Sequence, residues 1–189
     1  LPTYFIRTFG WDAQTIGLWY GLASIIFGVI GINTGSSVSV WLRNRGYNDA
    51  NVRICLGAEA CLIPIGILAS LMPTPELSMI FYCGFIFFAS FSVGCQAAAL
   101  QEITPNQLRA QVSAIYLFCT NMVGIGFGPT FIAFFTDVVF KNDALVGYSM
   151  SIAVAVACPI GVFLFWRGLK PYRKCLDLAK QNYASPSSH

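Results

Sequence analysis

The sequence predicts an all-α integral membrane fold, and three observations carry that prediction. Hydrophobic residues make up 56% of the 189-residue chain and charged residues only 10%, against roughly a quarter charged in an average soluble domain. Mean hydropathy is +0.66. The charges are crowded into short intervals that separate five long apolar stretches. A helix needs about 20 apolar residues to cross a hydrocarbon core of about 30 Å, and each stretch supplies them. Five in succession leave no polar outer layer, which argues against buried helices of a soluble core.

The expected spans cover about residues 15–41, 52–71, 77–100, 112–139 and 144–166. Polar or proline-rich breaks divide them: RNRGYND at 43–49, MPTPE at 72–76, TPNQLR at 104–109 and KND at 141–143. Residues 1–9 read as the last turns of a sixth, truncated helix. Residues 10–175 form the expected bundle, and 176–189 a disordered cytoplasmic tail. The chain opens Leu-Pro-Thr-Tyr, with no initiator Met and no signal-peptide pattern, so it is expected to start midway through a gene product. Nine of the eleven Lys and Arg residues fall on one side of the predicted topology and only Arg7 and Lys141 on the other. By the positive-inside rule the C-terminus is cytoplasmic. Trp11, Trp19, Trp41 and Trp166 lie at or near span ends, as an aromatic belt requires.

Polar groups inside spans are costly and often functional. Span one carries Asn33, Thr34, Ser36 and Ser37; span three Tyr82 and Gln96; span four Tyr116, Thr120 and Asn121. Two acids are candidates for a coupling ion, Glu59 in span two and Asp137 near the outer end of span four. A partly dehydrated carboxyl can carry a proton. Glu59 has a second reading, an ion pair with Arg53, and Asp137 a second reading as an interfacial helix end. Small residues four apart, including Gly31 with Gly35 and Gly124 with Gly128, place small faces where helices approach closely. Pro64, Pro129 and Pro159 each remove a backbone donor inside a span, so kinks are expected.

Other classes of function find no support. The seven cysteines form no C-x-x-C pair and the single histidine, His189, lies in the Ser/Pro-rich tail. A zinc site, a Cys–His nucleophile and a hydrolytic triad each lack a required group, so no metal and no cofactor are expected. No phosphate-binding glycine loop and no G-x-S-x-G occur, and the chain is read as a non-enzyme. A net charge of +3, scattered along the chain, does not suggest nucleic acid.

GSSVSVWLRNRGYNDA at 35–50 resembles the loop between the second and third helices of each half of the major facilitator superfamily. Gly35, Arg43, Arg45, Gly46 and Asp49 carry the likeness, while Val40 and Trp41 stand where that family has Asp and Arg. ITPNQLRAQVSAIY at 103–116 resembles the cytoplasmic entry to the eleventh helix. NMVGIGFGPTFIAFFTD at 121–137 resembles the body of that helix in bacterial spinster-like and organic-anion branches. Its Gly124, Gly128 and Pro129 are similar to the glycine–proline signature of the repeat-related fifth helix.

The resemblance implies helices eight to twelve of a twelve-helix carrier, preceded by the end of helix seven, so most of a C-terminal half. It places Tyr20, Asn33, Gln96, Tyr116, Thr120 and Asn121 toward a central cavity, and Glu59 on an outward-facing helix. Gly31, Gly124, Gly128 and Pro129 become packing or hinge positions. The implied function is alternating-access transport of a small organic solute, expected to be anionic or amphipathic and coupled to H+ or Na+. The implied setting is a lipid bilayer, a bacterial inner membrane, with the missing N-terminal half as partner. A non-transporting five-helix scaffold or sensor is the alternative.

Overall fold

The computed structural model describes residues 5–6, 10–72, 74–128, 130, 134 and 146–184. Among these the chain is all-α and contains no strand. Helix α1 spans Ala13–Asn44, α2 Ala50–Leu71, α3 Pro75–Ile103 and α4 Arg109–Asn121. A π-helical turn, Met122–Phe127, continues α4, and α5 spans Val146–Ala184. Four of these helices, α1, α2, α3 and α5, contain segments long and apolar enough to cross a membrane. The architecture is that of an integral membrane protein.

Local chemistry sets the helix ends. Asp12 caps α1 by accepting the Gln14 backbone N–H at 3.1 Å. Pro75 opens α3 at a first-turn position, where its missing N–H costs nothing. The far end of α1 closes through Gly46, whose φ of +92° suits a residue without Cβ. The Gly46 N–H donates to Arg43 O at 2.9 Å and the Tyr47 N–H to Leu42 O at 3.2 Å. That bond pair is the Schellman closure. It turns the chain sharply enough for α2 to begin at Ala50.

Three differences from the sequence reading concern extent. Helices α1 and α3 each run a few residues beyond the predicted 15–41 and 77–100, because polar residues at a span end are still good helix formers. Helix α5 passes through Pro159 and Pro171 and reaches Ala184, so 176–184 is helical where a disordered tail was expected. Leu176 is buried there, which anchors the extension. The fourth stretch, predicted as one span over 112–139, is α-helical to Asn121 and then widens into the π turn; beyond it the described residues 128, 130 and 134 are again helical. Pro129, Asp137, residues 185–189 and most of 1–9 lie outside the described residues.

Packing is inverted relative to a soluble protein. Fully buried positions are mainly small, such as Ala50, Ala58, Ala69, Ser78, Ser92 and Cys95. Large apolar side chains such as Leu18, Ile25, Phe118 and Trp166 point outward. Lipid is as apolar as leucine, so helices associate by close backbone approach rather than by burying large side chains. Helix α3 touches all four other helices, and α4 is held chiefly through it. Gly31 and Gly35 of α1 lie on the α3 backbone: a Cβ on Gly31 would meet Phe87 O at 2.5 Å, and one on Gly35 would meet Phe91 O.

Gly35→Leu is therefore expected to destabilise the bundle by about 1–3 kcal/mol through overpacking. Gly17→Leu, where a Cβ has nothing within 4 Å, should stay within about 0.5 kcal/mol. Thermal unfolding of both variants in the same detergent separates these outcomes.

Candidate functional site

Polar side chains gather in two places, one at the end of the bundle where α1 turns into α2, the other between α3 and α4.

The first centres on Glu102, in the last turn of α3. Its Oε1 accepts from Arg43 of α1, in an ion pair, and from Asn51 Nδ2 of α2 at 3.1 Å. Its Oε2 accepts the Tyr172 hydroxyl of α5 at 2.8 Å. Ser39 of α1 donates to Asn51 Oδ1 behind it. One carboxylate thus ties four helices.

Beside it, Asp49 precedes α2 with its side chain 5% exposed. It accepts Arg53 Nε at 3.0 Å on both oxygens and Arg173 Nε at 2.7 Å. Burial alone would raise the Asp49 pKa, but hydrogen bonds from Arg173 and Arg53, with the charge of Arg53, hold it below the ordinary 3.8. The remaining arginine of the loop, Arg45, lies 3.9 Å above the Trp41 ring.

The second place joins two predicted cavity residues. The Tyr116 hydroxyl of α4 donates to Gln96 Oε1 of α3 at 2.8 Å. Gln96 Nε2 in turn donates to Ser92 Oγ at 3.1 Å. The amide is held at both ends, so its orientation is set and its second N–H remains to be used.

The other predicted residues are not gathered there. Tyr20 and Ser24 line a separate cleft of about 340 Å³ with Tyr82, Phe85 and Ser90. Asn33 and Asn121 are exposed and return their amides to Val29 O and Leu117 O, each at 2.7 Å, one turn back on their own helices. Thr120 is also exposed.

Gly124 lies in the π turn and Gly128 just beyond it, where a Cβ on either would meet nothing within 4 Å. Their four-residue spacing does not align them as it would on an α-helix, because the π turn is wider. Of the two acids, Glu59 lies on α2 facing Gly161 of α5. The alternative pairing with Arg53 is not formed, because Asp49 takes that guanidinium.

Sequence reasoning missed Glu102, Asn51, Tyr172 and Arg173. A usable signal was present. On the side richest in Lys and Arg, the described residues include the acids Asp49, Glu102 and Asp177. An acid among so many cations at a helix end is a natural counter-ion.

Comparison with known proteins finds a likeness to an MFS-type efflux pump of Mycolicibacterium smegmatis, MFS denoting the major facilitator superfamily. The two are 23% identical over 175 residues, covering 92% of this chain and 40% of the pump. The chain therefore spans about two-fifths of that relative's length. No family model and no solved structure matches.

Glu102→Ala should cost about 2–3 kcal/mol, since it strands the Asn51 and Tyr172 donors as well as removing a partly exposed ion pair. Glu102→Gln, which keeps an acceptor, should cost less; thermal unfolding ranks the two. Asp49 stabilises the fold fully above the ordinary carboxylate value of 3.8. That contribution is lost as pH falls through its lower folded-state value. Asp49→Asn should flatten the acid limb of melting temperature against pH.

Proposed function

We propose that this chain is the greater part of one half of a major-facilitator-type carrier, which exports a small organic solute by alternating access. The observation that carries the reading is the likeness to an efflux pump along nearly the whole chain. Four apolar helices and a loop with Arg43, Arg45, Gly46 and Asp49 at one end of the bundle are consistent with it. In this reading the charged end is cytoplasmic, because Lys and Arg accumulate on that side. The complementary half supplies the facing wall of the solute site.

Gln96 and Tyr116 are the polar pair best suited to meet solute. A bridged amide–phenol in an otherwise apolar seam keeps its free N–H pre-aimed, and a polar solute group that matches it avoids an unpaired donor in low dielectric. The solute class, anionic or amphipathic, follows the likeness of residues 121–137 to the organic-anion and spinster-like branches. A gradient of H+ or Na+ drives the step. In the Glu102 cluster, each cation that binds one of the acids leaves an arginine free for another partner. Such exchange of ion pairs is the basis for switching between two packed arrangements.

The test is export of an amphipathic anionic dye from proteoliposomes containing the full-length protein, with and without an imposed ion gradient. Gradient-dependent flux is expected. Tyr116→Phe, which removes one hydrogen bond worth about 1 kcal/mol, should lower flux roughly fivefold at unchanged protein level. A full-length protein that moves none of a broad panel of organic solutes under either gradient would overturn the proposal.

A further inference from the structure

The seam between α2 and α5 contains an acid that the charged end does not account for. The two helices run antiparallel in one register. Asp49 meets Arg173 at the charged end, Glu59 meets Gly161 farther in, and Gly66 meets Val154 farther still. From Glu59 to Gly66 and from Gly161 back to Val154 is the same seven residues. Glu59 lies ten residues from Asp49, about 15 Å along the helix at 1.5 Å per residue. That is half of a hydrocarbon core of about 30 Å. Glu59 therefore sits near the middle of the bilayer.

Among the described residues no cation pairs with it there. Arg53, the only basic residue of α2, is bound by Asp49 toward the charged end. Arg173 of α5 is bound by the same carboxylate. Of the other basic residues of α5, Lys170 and Arg167 lie between Arg173 and Gly161, and the nearer, Arg167, is still six residues from Gly161, about 9 Å along the axis. The acids of α3 lie at its two ends, Glu76 in the first turn and Glu102 in the last. The titratable groups within electrostatic reach of Glu59 are the thiols of Cys55 on α2 and Cys158 on α5. Among the described residues Glu59 makes no ion pair and accepts no hydrogen bond, and its carboxyl lies over Gly161, with Oε2 3.7 Å from where a Cβ would stand.

An ionised carboxylate with neither counter-ion nor donor is strongly disfavoured at that depth, whereas the neutral acid fits as a slightly polar side chain. Gly161 supplies the room. A Cβ there would already be in van der Waals contact with the carboxyl, so a side chain as large as leucine would compete with it for the same space.

We infer that Glu59, seated over Gly161 at the middle of the α2–α5 seam, is a proton-binding site of this protein, in a different seam from the Gln96–Tyr116 pair. The bound proton keeps the seam electrically neutral while the helices are closed on each other. Glu59 is partly buried, and release of the proton leaves an unpaired carboxylate that water or a cation must then reach, which links proton occupancy to the closeness of this seam. The inference stands on the seam geometry and not on the transport reading.

The experiment is infrared spectroscopy of the full-length protein in lipid bilayers at neutral pH. The wild type should show a protonated-acid carbonyl band that Glu59→Gln removes, while Asp49→Asn leaves it in place. Glu59→Asp, one methylene shorter, should keep a shifted band and guards against misfolding of the first variant. Gly161→Leu should shift or abolish the band by displacing the carboxyl. A wild-type spectrum that Glu59→Gln leaves unchanged in the acid region, with loss of carboxylate absorption instead, would show an ionised Glu59 and overturn the inference. Neither readout needs solute movement, so failure of the export assay leaves it standing.

Discussion

The carboxylate of Glu102 is the point on which the bundle depends. Helices in hydrocarbon gain little from burying large side chains, because lipid solvates those as well as protein does. Polar contacts that can be made only in one arrangement then have disproportionate influence on which arrangement forms. Glu102 accepts from Arg43, Asn51 and Tyr172, so α1, α2 and α5 are all referenced to α3. Asp49 adds a second tie between the α1–α2 loop and α5. The neighbouring core of Ile54, Cys55 and Cys95, flanked by Phe91 and Phe165, is packed where these ties hold the helices together.

Away from that end the same constraint acts through the backbone. Peptide groups in lipid must find their partners within the chain, and the helices do this. Side-chain hydroxyls and amides follow suit: Asn33, Thr34, Ser36 and Ser37 each donate to a carbonyl four residues earlier. A polar sequence there does not imply a polar surface, because each group has been turned inward on its own helix. What remains for contact between helices is small residues, and the opposite end is held by Phe5, Ile16, Ala69 and Tyr82 with aromatic neighbours.

These physical differences explain what could be read from the residues alone. Apolar length is a one-dimensional property, so α1, α2, α3 and α5 were visible as stretches near 15–41, 52–71, 77–100 and 144–166. The Schellman turn at Gly46 falls inside the polar break expected at 43–49. Partner choice is three-dimensional and was not. Arg53 had two acids within one or two turns, Asp49 and Glu59, and only the fold shows that it bonds Asp49. Gln96 and Tyr116 were each visible as polar residues in apolar runs, whereas their hydrogen bond depends on how α4 leans on α3. Glu102 lies just beyond the predicted end of its span, where nothing in the sequence marks which groups it will bond.

The π turn at Met122–Phe127 has a geometric consequence of its own. An α-helix keeps a constant angular step, so residues on either side of any point stay in phase. A stretch bonded five apart instead of four holds more residues per turn and breaks that phase. Residues before Asn121, including Tyr116, and Gly128 just beyond the turn are thus set at an offset dial position. Removing a single residue from the turn would not merely shorten the segment. It would rotate the residues on its two sides against each other by roughly a quarter of a revolution at 3.6 residues per turn. The turn acts as a stored rotation, written into the chain as one residue of length.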